Sequence, residues 1–283
     1  MRASVIIPTH NRPDALARIL TTLTNEIARG GLAGEVEIVV ADDASEPPAF
    51  EALPSHLRQL DSGILKVVRL PVNRGASAAR NAGVENSAGE LLIFLDDDIV
   101  PADDYLGATL EEHLHHPEIL VLNANLRPLR DDIYSRFWFY YYASTFNRPG
   151  DLYQVAMLAS GNSSLKRSVL SLENPLFDTA LPTREDFDLY LRLKARGIEA
   201  WKSDHILAYN DCRSSLRGFI TQRLHYADGQ QHLLAKYDAE LLNDENRRRQ
   251  VPRNWRFAHL YLALGLAHRI AGLRQMIARP RVS

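Results

Sequence analysis

The feature that most constrains this chain is a set of three short, continuously apolar runs, each of which stops abruptly at polar residues. Val5-Ile6-Ile7 leads into Pro8-Thr9-His10-Asn11, Ile38-Val39-Val40-Ala41 into Asp42-Asp43, and Leu91-Leu92-Ile93-Phe94-Leu95 into Asp96-Asp97-Asp98. Short β-branched runs without apolar/polar alternation are strands covered on both faces, the habit of parallel sheets. Helical patterns over residues 13–27 and 76–86 separate strands expected over 4–7, 36–40, 66–70 and 90–95. Such alternation predicts an α/β fold, a mostly parallel, Rossmann-like sheet flanked by helices, with ligands gathering where the strands end. The three polar segments are therefore expected at one edge of the sheet.

After residue 100 the pattern is less regular, with a helix near 103–115, a short strand near 119–122, an aromatic-rich segment over 137–146, a strand and loop over 157–165 and a helix over 185–196. From about residue 214 the chain reads as helical, and from Glu245 onward nine arginines face a single acidic residue. This change of character sets a soft boundary between a domain over residues 1–213 and a helical C-terminal extension over 214–283. The formal net charge of −2 offers no global attraction to nucleic acid, so anion binding must be local. Cys212, the only cysteine, excludes an intrachain disulfide and a cysteine-based zinc cluster. The opening apolar run is too short for a signal-peptide core, and no stretch of eighteen apolar residues occurs. The expectation is a cytoplasmic protein, with peripheral attachment at the inner face of the membrane as the alternative that a basic tail allows.

Three consecutive aspartates beyond a buried strand raise one another's pKa unless something cationic stands nearby. Hard carboxylate oxygens suit Mn²⁺ or Mg²⁺, which keep several waters and commonly bridge a few carboxylates to substrate phosphates. Read alone, the same residues serve equally well to cap the next turn.

Their placement, an apolar strand running into Asp96-Asp97-Asp98, resembles the acidic motif of GT-A glycosyltransferases of family 2. The resemblance implies Asp98 on the metal, Asp97 at the ribose or the metal, and Asp96 as a supporting member of the metal set. The opening Val5–Arg12 segment resembles the family's first strand and loop, implying that Pro8, Thr9, Asn11 and Arg12 hold the nucleotide. Asp42 matches the family acid that accepts a hydrogen bond from the base, which suits the ring N–H of uracil. The segment from Asn73 to Gly83 resembles the pattern preceding the acidic motif, implying Asn73 and Arg80 as further nucleotide contacts; Arg80 offers a fork of donors to uracil or diphosphate. Gly161-Asn162 resembles the strand and loop beside the donor sugar.

Thr183-Arg184-Glu185-Asp186-Phe187 resembles the family's acidic pair at a helix start. The second acid is then the general base, so Asp186 is the expected proton acceptor, with Glu185 as its neighbour and backup. As residues alone, Thr183 and Asp186 also form a capping-box pattern, and a helix N-terminus favours an ionised carboxylate in either case. Many relatives carry a histidine after the last strand, whereas this chain reads Ala208-Tyr209-Asn210-Asp211-Cys212. Asp211, or more weakly Asn210, would take its place at the metal.

The resemblance spans about residues 3–213 and implies an inverting transfer from a nucleotide-sugar, a UDP-sugar by the Asp42 match, to an acceptor hydroxyl. A lipid-linked glycan, polysaccharide, peptide or small metabolite would all serve as acceptor. The rivals are a catalytically degenerate nucleotide- or glycan-binding adaptor and a sugar-phosphate nucleotidyltransferase, though the latter's glycine-rich opening loop is missing. Arg136–Tyr142 reads as a buried helix or as an aromatic acceptor groove. In the tail, Phe257, Leu260, Tyr261, Leu264 and Ala271 suggest an apolar stripe for the catalytic domain, a second copy or a membrane surface.

Overall fold

The structure, a computed structural model, describes residues 2–146, 151–212 and 215–237 together with Phe257, Leu260 and Leu262. The elements run β1 (Ala3–Thr9), α1 (Pro13–Arg29), β2 (Val36–Asp42), the single-turn helices α2 (Ala49–Ala52) and α3 (Ser55–Arg58), β3 (Leu65–Arg69), α4 (Ala76–Glu85), β4 (Leu91–Leu95) and β5 (Ile99–Pro101). They continue with α5 (Tyr105–His115), β6 (Val121–Pro128), α6 (Ile133–Phe146), β7 (Leu152–Val155), β8 (Asn162–Lys166), a 3-10 turn over Arg167–Ser171, α7 (Glu185–Lys194), β9 (Ala200–Asn210) and α8 (Leu216–Lys236).

Among the described residues the strands form one mixed sheet in the order β3-β2-β1-β4-β8-β6-β9-β5, with β7 paired to β9. The expected parallel part is β3-β2-β1-β4. Beyond it β8 runs antiparallel to both β4 and β6, while β6 and β9 are parallel. Every residue of β1 and β4 is buried, which is why these strands read as unbroken apolar runs. Pro13 opens α1, and Leu16, Ile19, Leu20, Leu23 and Ile27 form its buried stripe. Helix α4 lies close to β1: a Cβ on Gly83 would come within 2.5 Å of Ile6 Cγ2, so only glycine permits this packing. That close seat brings the start of α4 to the ends of the strands.

The chain divides into two compact units. The first comprises Met1–Leu129, Arg148–Ala180 and Glu185–Asp211 and carries the sheet. The second comprises Arg130–Asn147, Leu181–Arg184 and Cys212–Ser283. Within the second, Phe137, Phe219, Phe257 and Leu260 form a small core with edge-on ring contacts of 5.5 Å (Phe137 to Phe219) and 5.3 Å (Phe137 to Phe257). Phe137 thus belongs to a packed helix, one of the two readings of the aromatic segment. Ser215 caps α8 by accepting from Gly218 N–H, and Thr183 donates to the His225 carbonyl of that helix. Tyr261, Leu264, Ala271 and the arginines beyond Glu245 lie outside the described residues. Among the described residues no helix is long and apolar enough to cross a membrane.

Candidate active site

The three polar segments do meet. Thr9 pairs with Asp42 across β1 and β2, and Asp43 N–H donates to the Thr9 carbonyl (2.9 Å). The Thr9 hydroxyl donates to Asp97 Oδ2 (2.9 Å), and Arg12 reaches Asp97 Oδ1 (2.5 Å) and Asp98 Oδ2 (3.5 Å). Burial pushes the Asp97 carboxyl up to about 6, although Arg12 and Thr9 pull in the other direction.

Behind this contact the first loop is tied to the second. Asn11 takes a left-handed φ of 55°, a conformation its short side chain tolerates. Its N–H donates to Ser45 Oγ (2.9 Å) and its Oδ1 accepts from Glu46 N–H (2.8 Å). His10 Nδ1 stands 2.7 Å from the Asp43 carbonyl, which can only accept, so the proton is on Nδ1 and Nε2 accepts from Asn11 Nδ2 (3.0 Å).

Asp42 and Asp43 divide their labour in a way the sequence does not reveal. The Asp42 carboxylate is 1% exposed and accepts from Ser45 N–H, Ala49 N–H and Arg69 Nη1 at 2.9, 3.0 and 2.7 Å. Burial alone would raise its pKa, but these bonds hold it below the usual carboxylate range. Asp43 accepts from the N–H groups of Arg74 and Gly75, both at 2.7 Å, and so holds the loop carrying exposed Asn73. His10, Asp43, Ser45 and Arg69 are thus structural members of the pocket that motif reading passes over. The Asp42-Asp43 doublet and Ser45 three residues beyond Asp42 were the available signals, since such spacing favours side-chain to backbone bonds.

On the other flank, Asp96 stands at the centre of a second cluster. Its N–H donates to the Gly161 carbonyl (3.0 Å), and its Oδ1 receives Arg80 Nη2 (2.5 Å). Arg80 Nη1 reaches Glu185 Oε1 (2.7 Å), which also accepts from Ser160 Oγ (3.0 Å). Burial would lower the Arg80 pKa, but Asp96 and Glu185 hold the guanidinium more firmly charged than usual. Gly161 packs directly on Asp96, since a Cβ there would lie 2.6 Å from Asp96 Cγ. Asn162 turns inward: its Oδ1 accepts from Tyr105 and its Nδ2 donates to the carbonyls of Ala124 and Asn125. Asp186, half-buried in the first turn of α7, accepts from Phe187 N–H (2.7 Å).

At the third side, β9 ends beside the acid motif. Asn210 pairs with Ile99, and Asp211 N–H donates to the Asp98 carbonyl (2.8 Å). Asp211 is also ion-paired with Arg18 (3.0 Å). Among the described residues no group of three or more His, Cys, Asp or Glu is disposed to hold a metal ion unaided. Asp98 and Asp211, side by side and 27% and 19% exposed, nonetheless offer the hard-oxygen pair that Mn²⁺ or Mg²⁺ accepts when diphosphate and water complete the shell. The residues present fit such an ion.

The sequence profile described as Glycosyl transferase family 2 matches residues 4–172. The uncharacterized glycosyltransferase YfnE of Bacillus subtilis is 31% identical over 137 residues, which is 48% of this chain and 33% of that protein. The chain thus spans only a third of that relative's length. Among solved structures, the mannosyltransferase PcManGT of Pyrobaculum calidifontis, in complex with GDP-Man and Mn²⁺, superposes with a TM-score of 0.65 at 19% identity, covering 99% of this chain and 76% of that one. TarS of S. aureus in complex with UDP gives 0.55 at 21% identity, covering 80% and 64%. At such identities the structural likeness establishes the GT-A fold.

Proposed function

The chain belongs to Glycosyl transferase family 2, and from that premise we propose that it moves a sugar from a UDP-sugar to an acceptor hydroxyl with inversion at the anomeric carbon. The observation that carries this reading is the convergence on Asp96–Asp98 of the first loop through Thr9 and Arg12, of α4 and α7 through Arg80 and Glu185, and of β9 through Asp211. We assign catalysis to residues 1–213 and a helical extension to 214–283.

The nucleotide lies along the strand ends against Pro8, Thr9, Asn11, Arg12 and Asn73, with Asp42 and Asp43 shaping the base pocket and Asp97 at the ribose. Asp98 and Asp211 hold Mn²⁺ or Mg²⁺, with Asp96 beside them; the ion supplies charge compensation to the leaving diphosphate. Gly161 lines the donor-sugar side, and Asn162 fixes that loop from inside. Asp186 takes the acceptor's hydroxyl proton as the new oxygen–carbon bond forms and the bond from the anomeric carbon to the diphosphate breaks. The choice of Asp186 over Glu185 rests on the likeness of this pair to the family's acidic pair, whose second acid is the base. Glu185 Oε1 already accepts from Arg80 and Ser160, and Asp186 follows it in the first turn of α7, where the backbone dipole favours an ionised carboxylate.

The test is nucleotide release from a panel of UDP- and GDP-sugars, with Mn²⁺, Mg²⁺ or chelator, in wild type, Asp98→Asn and Asp186→Asn. One donor should be turned over in a metal-dependent way, and both variants should lose at least about a hundredfold. Unchanged activity in both variants refutes the site. A wild type that neither binds nucleotide nor turns over any donor favours the degenerate adaptor.

A further inference from the structure

We infer that Arg80 is a positioning residue that fixes the acid pair at the head of α7 by clasping Glu185 to Asp96, not a ligand of the donor nucleotide. The inference rests on the transferase reading. A nucleotide ligand must present donors to the pocket, but Arg80 is 3% exposed and gives Nη1 to Glu185 (2.7 Å) and Nη2 to Asp96 (2.5 Å). Its Nε has no hydrogen-bond partner among the described residues, so two carboxylates on two different elements retain this buried cation.

The surroundings make the clasp rigid. The guanidinium carbon sits 5.5 Å from the centre of the Phe177 ring, and that ring packs edge-on against Phe94 of β4 at 5.3 Å. Asn81, the next residue of α4, clamps the Phe177 backbone, its Nδ2 donating to the carbonyl (2.8 Å) and its Oδ1 accepting from the N–H (3.1 Å). Neighbouring residues of one helix therefore hold the end of β4, the loop before α7 and the first residue of α7. With Glu185 Oε1 fixed by Arg80 and Ser160, the backbone that carries Asp186 is fixed as well. A planar guanidinium can fork to two separate carboxylates; an ammonium, as a point charge, cannot hold both in one geometry.

The experiment uses the full chain with Arg80→Lys, Arg80→Met, Glu185→Gln and the double variant Arg80→Met/Glu185→Gln. Arg80→Lys should lower kcat by on the order of 10–100-fold through misplacement of the base, with the donor KM and UDP affinity within about twofold of wild type. In thermal melts without donor, the double variant should recover part of the Tm lost in Arg80→Met, because Glu185→Gln removes a carboxylate left uncompensated. A raised KM or weakened UDP binding with kcat preserved would make Arg80 a nucleotide ligand and overturn the inference, as would Tm losses that simply add. Should Arg80→Lys fail to fold, Glu185→Gln reads the same clasp from its other end through kcat against KM. A wild type silent with every donor refutes the transferase reading before any variant is made, whereas an active wild type matched by Arg80→Lys refutes this inference alone.

Discussion

Gly161→Ala places a methyl group against the acid motif, where the surrounding atoms leave no room for it. The new Cβ would lie 2.6 Å from Asp96 Cγ and 3.1 Å from Asp96 Cβ, with Oδ2 closer still. A carboxylate at the end of a loose side chain would swing aside, but this one is held by Arg80 at 2.5 Å, and its Cβ is fixed by a backbone bonded to the Gly161 carbonyl at 3.0 Å. The chain must therefore part these backbones, an overpacking cost of about 1–3 kcal/mol, or rotate Asp96 off a buried guanidinium. Losing one partner of a buried pair costs several kcal/mol, discounted here because the Asp96 side chain is 35% exposed. The cheaper route sets the outcome at about 2 kcal/mol, a fall in Tm of roughly 4–8 °C for a domain of this size. Equilibrium urea melts of Gly161→Ala, Asp96→Ala and the double variant measure it. In the Asp96→Ala background the clashing Cγ and Oδ2 are gone, so the added methyl should cost less than about 1 kcal/mol. Equal costs in both backgrounds, or a Gly161→Ala protein as stable as wild type, would refute the reasoning.

Interior polar groups give two further expected outcomes. Burial, reinforced by Lys166, pushes His113 down to about 4 from 6.5, so between those values the folded protein binds fewer protons than the unfolded chain and stability falls as the pH drops through the window. The loss should approach roughly 3 kcal/mol near pH 4, and urea melts from pH 7.5 to 4.5 should show a slope that His113→Gln flattens; an identical slope in the variant counts against the assignment. Asn81→Ala strips both partners from the fully buried Phe177 backbone and should cost about 2–4 kcal/mol, so a Tm within a degree of wild type would show that the clamp does not matter.

The parallel half of the sheet and its helices were legible because their signals are local. Unbroken apolar runs mark β1, β2 and β4, and Pro13 with its apolar stripe marks α1, each to within about two residues. The antiparallel half was not, because a strand's partner is not written in its own residues. The strand expected over 119–122 extends as β6 to Pro128, since Asn123 is satisfied inside by the Met157 and Trp201 carbonyls and by Ala159 N–H, bonds that hydropathy does not register. β5 and β7, three and four residues long, are too short to show a period. Within the site the acids stood out because strand ends are where acids gather at a sheet. Their partners did not: Arg80 and Glu185 are 105 residues apart, and nothing in the doublet Asp42-Asp43 says which carboxylate turns inward.

Burial divides the residues that the motifs single out, and the division has a physical reason. A charged site at a sheet edge works only if its groups are already oriented, because reorienting dipoles during reaction would forfeit much of the gain. Holding each exposed acid in place takes a further polar residue behind it, and that residue is buried. Asp42, Asn162 and Arg80, at 1, 2 and 3% exposure, each direct their polar atoms into protein partners. Arg12, Asp98 and Asp211, at 31, 27 and 19%, keep a face toward solvent while lying in the same network. A sequence motif names both groups alike, since a brace and a ligand at this edge call for the same residue types. Arg80 and Arg12 make the case most clearly. Both are arginines bonded to consecutive aspartates, yet the first is 3% exposed with both Nη atoms on carboxylates, whereas the second is a third exposed. Substitutions of the inward set should therefore damage geometry and stability before they weaken nucleotide binding.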